Sequence, residues 1–273
     1  MREIAAQTHA GKVREHNEDA IAVVAEQGVC VVADGVGGHQ RGEVASQIVC
    51  DTIREDLIQG CSLVDAVAHA HNEILSAIQH SSQGEISKAG MGSTVVVVRI
   101  DQASRYELAW VGDSRVYLWN GALTQLNRDH SVVEELLAKE LITPEQARTH
   151  PERNVITQSL GVSKQMQLDV GYQEGSLGPD EQLLLCSDGL TDELRDTEIA
   201  SVLADHQGAQ AQLDALMENV LASPARDNVS IAVVAPQISE QQREPDKGLG
   251  KMLNVGAFVL VCLASAIAIW HLI

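Results

Sequence analysis

The close spacing of three apolar segments in the middle of the chain is the feature that most constrains its fold. Residues 94–100, 106–111 and 115–119 are each rich in Val, Leu or aromatic residues, which is typical of β-strands. Only five residues separate the first pair and three the second. A parallel crossover requires about a dozen residues or more, so these segments are predicted to pair as antiparallel hairpins.

Further strands and two long helices are predicted on either side of these hairpins. Apolar runs indicate strands at 20–25, 29–33, 167–172, 182–186 and 229–235. Apolar residues at steps of three and four indicate helices at 44–57 and 63–78, and shorter helical patterns follow at 132–139, 143–148 and 209–222. Antiparallel strands with helices added in blocks predict a layered α+β domain over residues 1–235.

Four aspartates stand at the ends of these predicted strands. Asp34, Asp113 and Asp188 each follow an apolar run, whereas Asp227 stands just before one. A single aspartate in such a position often serves only a turn or a helix cap. If the last strand runs opposite to the other three, all four carboxylates reach the same end of the sheets.

Such a carboxylate cluster needs protons or cations to be stable. Two like charges about 4 Å apart repel by about 4 kcal/mol at an effective dielectric near 20. Oxygen ligands without His or Cys favour hard divalent ions, Mg²⁺ or Mn²⁺, over zinc. Two such ions about 3.5–4 Å apart would activate water as a nucleophile, for which a phosphoester is the natural substrate. Arg14, in the run RxxNED at 14–19, supplies a guanidinium for the phosphate.

The charge balance and composition exclude several other functions. With 38 acidic against 19 basic side chains, the formal charge of −19 argues against binding to nucleic acid. The glycine-rich run 34–39 fits neither GxGxxG nor GxxxxGK[ST], so it does not indicate a nucleotide-binding loop. The five cysteines are scattered without CxxC spacing, which indicates reduced thiols rather than disulfides or a zinc site.

Eight sequence blocks together resemble the bacterial protein phosphatase 2C-type, metal-dependent (PPM family) serine/threonine phosphatases. In the family's order, the blocks are RxxNED at 14–19, ADGVGGHxxGExAS at 33–46, MGST at 91–94, GDSR at 112–115, LTQLNRDHS at 123–131, ITQSLG at 156–161, LLLCSDGL at 183–190 and RDNVS at 226–230. The resemblance implies a four-layer α-β-β-α sandwich with two central antiparallel sheets. It also implies hydrolysis of phosphoserine and phosphothreonine by a hydroxide that bridges two Mn²⁺ or Mg²⁺ ions.

The same resemblance implies a role for each candidate site residue. Asp34 resembles the aspartate that bridges the two ions, and Gly35 resembles the residue that offers its backbone carbonyl. The remaining ligands implied are Asp188 and Asp227 for the first ion, Glu18 for the second, partly through water, and Asp113 for a third, weaker ion. Arg14 is similar to the arginine that clamps the substrate phosphate. Asn228 is similar to a residue that contacts the metal ligands without binding the ion itself, and Asp19 is similar to one that orients a metal-bound water.

The serine oxygen that leaves during hydrolysis needs a proton, and two sources stay open. Many eukaryotic members of the family carry a histidine directly after the Asp-Gly pair, but this chain has Val36 there. His39 and a metal-bound water are the two candidates. Residues 131–153 resemble the flap beside the active site of bacterial members, and His130 and His150 are interpreted as structural or surface residues.

The C-terminal end of the chain predicts a membrane anchor. Residues 252–273 form a 22-residue run without a charged side chain. As a helix this run would span about 33 Å, close to the hydrocarbon core of a bilayer. The polar stretch 236–251 predicts a flexible linker, and its Arg243, Lys247 and Lys251 favour a cytoplasmic catalytic domain on a single-pass anchor in the inner membrane. A buried C-terminal helix of the globular domain is the alternative.

The predicted activity implies phosphorylated protein partners, among them a membrane-associated serine/threonine kinase that the phosphatase opposes in bacterial signalling. One alternative is a catalytically silent phosphatase-like scaffold or sensor that binds phosphoproteins. Such relatives typically lack a metal ligand, whereas Asp34, Asp188 and Asp227 are all present. Another is action on an acidic regulatory partner, which is disfavoured because relatives of that kind usually lack an arginine like Arg14.

Overall fold

Two antiparallel sheets form the centre of the molecule. The computed structural model describes residues 2–37, 40–80, 90–161 and 168–237. The first sheet runs in the order β1 (Arg2–His9), β11 (Val229–Pro236), β10 (Gln182–Cys186), β7 (Arg115–Trp119) and β8 (Leu123–Gln125). The second runs in the order β2 (Asp19–Val24), β3 (Val29–Val36), β5 (Val95–Ile100), β6 (Arg105–Val111) and β9 (Gly171–Ser176), and β4 (Gly92–Ser93) pairs with β3. All of these pairings are antiparallel. The predicted hairpin of 94–100 with 106–111 is confirmed by β5 and β6, but the predicted hairpin of 106–111 with 115–119 is wrong, because β6 and β7 belong to different sheets and the short connection 112–114 passes from one sheet to the other.

Helices cover the outer face of each sheet. The helices on the second sheet are α1 (Gln40–Ile58) and α2 (Leu63–His80), and those on the first are α5 (Asp188–Thr191), α6 (Asp196–Asp205) and α7 (Ala209–Ala222). Two short helices, α3 (Val132–Ala138) and α4 (Pro144–Arg148), lie between β8 and β9 in the chain. Both begin at a capped residue, since Ser131 and Thr143 accept hydrogen bonds from backbone amides of the first turn.

Three apolar layers hold these elements together. Along β3, Cys30 and Val32 face the first sheet, whereas Val29, Val31 and Ala33 face α1 and α2. Because both faces of the strand are buried, the segment is a continuous apolar run rather than an alternating one. The third apolar layer lies between the first sheet and helices α6 and α7. The described residues therefore form an α-β-β-α sandwich.

Several elements differ from the sequence-based expectation. β1, β4, β8, α5 and α6 are not predicted; β1 has polar residues along its length and is held in the sheet by β11. The predicted strand at 167–172 is wrong, because β9 spans Gly171–Ser176 while Leu168 and Val170 pack against the core beside α1 and α2. Among the described strands, β9 pairs only with β6 at the edge of its sheet, so it lacks the apolar signature of a central strand.

The predicted linker at 236–251 and anchor at 252–273 fall almost wholly outside the described residues. Met1–Gln237 form one compact unit. Within the described part of the chain, no helix combines the length and the apolar character needed to cross a membrane. The domain boundaries at 235 and 251 and the C-terminal transmembrane helix therefore stay predictions.

Candidate active site

The strand directions bring the four aspartates to one end of the sandwich. Asp34 lies near the end of β3, and Asp113 follows β6, which runs parallel to β3 because both pair antiparallel with β5. Asp188 follows β10, and Asp227 precedes β11, which runs antiparallel to β10. The charges of the other three aspartates all act on the carboxyl of Asp34, so the four form one electrostatic group.

Two further acids at the start of β2 join this group. Asp19 is paired in register with Asp34 across the β2–β3 hairpin, and Glu18 precedes it in the chain. Ser187, which directly follows β10, donates its hydroxyl to Asp19 Oδ2 over 2.8 Å. This hydrogen bond connects the two sheets directly at the rim of the site.

Burial and mutual repulsion favour the protonated form of these carboxyls. Burial raises the pKa of Asp34 and of Asp188 well above the usual range, and the charges of neighbouring carboxylates are the next largest cause. Burial is also the main cause that raises the pKa of Asp19 to about 6 and that of Asp113 to about 7. The pKa of Glu18 is raised by burial too. Holding all of these groups ionised at neutral pH therefore requires positive charge at this rim.

Three buried carboxylate oxygens have no hydrogen-bond donor among the described residues. They are Glu18 Oε1, Asp19 Oδ1 and Asp188 Oδ1. A buried acceptor without a partner costs about 1–3 kcal/mol, and more when it is charged. An all-oxygen set of this kind fits a hard divalent cation such as Mg²⁺ or Mn²⁺. Within the described ranges, however, no three His, Cys, Asp or Glu side chains already have the spacing to hold an ion.

Arg14 and Asn228 occupy both carboxylate oxygens of Asp227. Arg14 Nη2 lies 2.7 Å from Asp227 Oδ2, and the backbone amide of Asn228 donates to Oδ1 over 2.8 Å. The hydrogen bond to Asp227 is the main cause that raises the pKa of Arg14. The side chain of Arg14 is 51% exposed, so its guanidinium is accessible from solvent. This ion pair is one reason why Asp227 is not free to act as a ligand in this arrangement.

Asn228 also fixes the backbone that carries Glu18. Its Oδ1 accepts a hydrogen bond from Glu18 N over 2.8 Å, and its Nδ2 donates to the carbonyls of Ala10 and His16 over 3.0 and 2.9 Å. The residue is only 5% exposed. The side chain thus joins the start of β11 to the loop that leads from β1 into β2.

Gly35 stands where three backbone segments approach closely. Its amide donates to the carbonyl of Glu18 over 3.1 Å, and a β-carbon on it would collide with the carbonyl oxygens of Gly42 and Glu18. Only glycine fits at this position. The structure therefore places the Gly35 backbone, the predicted carbonyl ligand, beside Asp34 and Glu18.

Several polar residues around Asp113 were not among the predicted site residues. Asp192, one turn after Asp188, contributes to the raised pKa of both Asp113 and Asp188, and its Oδ2 accepts from Asn154 Nδ2 over 2.9 Å. Buried Asp129 contributes to the raised pKa of Asp113 as well, and Arg115 Nη2 lies 2.7 Å from Asp129 Oδ2. The spacing of four residues between Asp188 and Asp192 was the available signal, since it places both on one side of a helix.

His130 and His150, the two histidines next to and within the predicted flap, each accept a hydrogen bond from a backbone amide. His39 lies outside the described residues. His130 Nδ1 accepts from the amide of Gly112 over 3.3 Å, its ring packs near Trp110, and burial lowers its pKa. His150 Nδ1 accepts from the amide of Glu152 in the flap. These local contacts agree with the interpretation of His130 and His150 as structural residues.

Comparison with known proteins points to one family. The family model described as Protein phosphatase 2C matches residues 6–228. The serine/threonine phosphatase stp of Listeria monocytogenes is 32% identical over 250 residues, which cover 87% of this chain and 97% of that protein. The serine/threonine protein phosphatase PstP of Mycobacterium tuberculosis is 35% identical over 84% of this chain and 44% of that protein. A crystal structure of the PstP catalytic domain in complex with two manganese ions matches with a TM-score of 0.74 and 29% identity, covering 86% of this chain and 97% of that one.

Proposed function

This chain belongs to the protein phosphatase 2C family, and on that premise we propose that it hydrolyses phosphoserine and phosphothreonine in proteins with the help of Mn²⁺ or Mg²⁺. The observation that carries this proposal is the convergence of six acids at one rim, three of which have a buried oxygen without a hydrogen-bond donor. The manganese in a structure of a relative supports the choice of metal. The relatives' names, which state serine/threonine phosphatase, support the substrate class.

Both sheets would contribute ligands to two ions, with a third ion bound more weakly. The proposed ligands are Asp34 as the bridge, the carbonyl of Gly35, Asp188, Asp227, Glu18 and, for the third ion, Asp113. When bound, the ions neutralise the crowded carboxylates and supply an activated water as the nucleophile.

The chain's own residues would bind the substrate and orient the reacting groups. Arg14 is accessible from solvent and can leave Asp227 to clamp two phosphate oxygens. This movement would also release Asp227 Oδ2 as a ligand. Asp19, which accepts a hydrogen bond from Ser187 and is paired in register with Asp34, would orient a water. The proton for the leaving serine oxygen would come from His39 or from a water in the site.

Substitution of the central aspartates tests this proposal. Asp34→Asn and Asp188→Asn should each lower hydrolysis of p-nitrophenyl phosphate and of a phosphothreonine peptide in Mn²⁺ by at least about 100-fold. Asp205→Asn, the same change at an exposed residue at the end of α6, is the matched control and should retain wild-type activity. Wild-type turnover by Asp34→Asn would contradict the metal assignment. Metal-dependent turnover by the wild type would exclude the silent scaffold.

The proposed location and partners rest on the sequence and on the activity. We propose that residues 252–273 anchor the protein in the inner membrane with the catalytic domain in the cytoplasm, because the segment is uncharged and long enough to span a bilayer. Recovery of the full-length protein in the supernatant without detergent would contradict the anchor but not the chemistry. A phosphatase also requires a kinase that supplies its substrate, and phosphoproteomics of cells carrying Asp188→Asn would identify the targets and the kinase.

A further inference from the structure

A small group of cationic side chains borders the candidate site in an otherwise acidic protein. The chain has 19 basic against 38 acidic residues, yet Lys12, Arg14 and Arg226 lie on two adjoining loops around Asp227. The amide of Lys12 donates to the carbonyl of Ala225 over 2.8 Å, so the two loops are in direct contact. The ion pair between Arg14 and Asp227 joins the same loops a second time.

Among the described residues, Lys12 has no carboxylate partner and Arg226 has only a long ion pair. Lys12 is exposed, its Nζ donates to the carbonyl of Ser223 over 3.0 Å, and among the described residues no carboxylate lies within ion-pair distance of it. The side chain of Arg226 is 75% exposed, and its Nη1 is 4.0 Å from Glu193 Oε1. That oxygen already accepts the backbone amide of Arg226 over 3.0 Å. Both positive charges therefore remain available to a ligand.

Resting on the proposed phosphatase function, we propose that Lys12 and Arg226 form a subsite for an anionic group that flanks the phosphorylated residue of the substrate. The anionic group is a side-chain carboxylate or a second phosphate. Lys12 is two residues from Arg14, so their Cα atoms lie within about 7 Å. An extended peptide advances about 3.3 Å per residue. A group one to three residues from the phosphorylated residue would therefore reach the subsite while Arg14 holds the phosphate.

The acidity of the rest of the protein gives this subsite its importance. A chain with a formal charge of −19 repels acidic peptides at long range. Cations placed next to the site oppose that repulsion only where the substrate docks. One exposed ion pair favours binding by up to about fivefold, and the effect weakens as salt rises.

The test compares peptides that differ only beside one phosphothreonine, with two Asp, two Asn, two Lys, or one additional phosphoserine. For the full-length protein at low ionic strength with Mn²⁺, kcat/KM for the Asp or the doubly phosphorylated peptide should exceed that for the Asn peptide by about threefold or more. The Lys peptide should be the poorest substrate. Preference for Asp identifies a carboxylate as the ligand, and preference for the second phosphoserine alone identifies a phosphate.

Variants then assign the preference to the two cations. The double change Lys12→Gln with Arg226→Gln should remove the preference, and Lys12→Glu with Arg226→Glu should reverse it. If the double variants fail to fold, as judged by circular dichroism, Arg226→Gln alone should reduce the preference. Arg105→Glu is the matched control, because Arg105 is exposed at the opposite end of β6 from Asp113, and it should keep the wild-type ratio.

The outcomes separate the subsite from the proposed function. If the wild type hydrolyses neither p-nitrophenyl phosphate nor any peptide, the phosphatase function itself fails. If it hydrolyses all four peptides with equal kcat/KM, or if the variants keep the wild-type preference, the subsite is overturned and the function stands.

Discussion

The hydrogen bonds of Asn228 predict a large loss of stability on substitution by alanine. In the folded protein its side chain serves one amide and two carbonyls, those of Glu18, Ala10 and His16, at 2.8 to 3.0 Å. Alanine supplies neither the acceptor nor the two donors. The three backbone groups, which are partly buried, would stay in place without these partners, because the surrounding loop is held by Gly35 and by the β2–β3 hairpin.

The magnitude follows from the number of groups left without a partner. Each lost hydrogen bond removes about 0.5–1.5 kcal/mol, and an unsatisfied buried group costs up to about 3 kcal/mol. We therefore expect Asn228→Ala to lower the free energy of unfolding by about 3–5 kcal/mol, measured by urea denaturation in the presence of EDTA. We also expect weaker Mn²⁺ binding by titration calorimetry, because the backbone of Glu18 loses its support.

Asn219→Ala provides the matched control for this prediction. Asn219 also donates its side-chain amide, but only to Ala215 one turn earlier in α7, and alanine favours a helix. The expected change is below about 1 kcal/mol. If Asn228→Ala were as mild as Asn219→Ala, the three hydrogen bonds would not hold the loop, and the reasoning would be wrong.

Three further predictions concern protons, backbone space and metal. Because the pKa of Asp19 is raised from 3.8 to about 6 on folding, the folded state binds its proton more tightly, and this stabilisation, present below pH 3.8, is lost as pH rises through 6. In EDTA the free energy of unfolding should fall over that range by about 3 kcal/mol from Asp19 alone; an equally steep fall in Asp19→Asn would contradict this. Gly35→Ala should abolish activity and lower the melting temperature, because its β-carbon collides with two carbonyls, whereas Gly178→Ala, where the nearest atom is 3.4 Å away, should resemble the wild type. Mn²⁺ at about 100 times its Kd should stabilise the wild type by about 2.7 kcal/mol in thermal denaturation, and Asp34→Asn should show little of this gain.

The central strands could be predicted because strands that are buried on both faces consist mainly of apolar residues, and such runs are visible in the sequence. β7 and β10 match the predicted bounds, since strands covered on both faces are mainly apolar. β1 and β9 could not be predicted in the same way, because their place depends on one neighbouring strand rather than on their own composition. Edge position is a property of the assembled sheet and leaves only a weak signal in the segment.

The position of the four aspartates at one end of the sheets could be predicted from strand direction, but the hydrogen bonds and ion pairs around them could not. The sequence indicates that Asp34 and Asp188 end their strands, and antiparallel pairing then places them at one end of the sandwich. The ion pair of Arg14 with Asp227 and the hydrogen bond of Asn154 with Asp192 join residues far apart in the chain. No spacing rule relates such residues, because their distance depends on loop conformations.

The hydrogen bond from Ser187 to Asp19 joins the two sheets, and the acids of the site are divided between them. Glu18, Asp19, Asp34 and Asp113 move with one sheet, and Asp188 and Asp227 move with the other. The separation between the two halves of the set is therefore fixed by the hydrocarbon side chains packed between the sheets, such as Val32 and Leu185. Adding or deleting a methyl group there would alter ion affinity without touching a polar atom, which makes purely apolar substitutions a route by which evolution can tune the metal requirement.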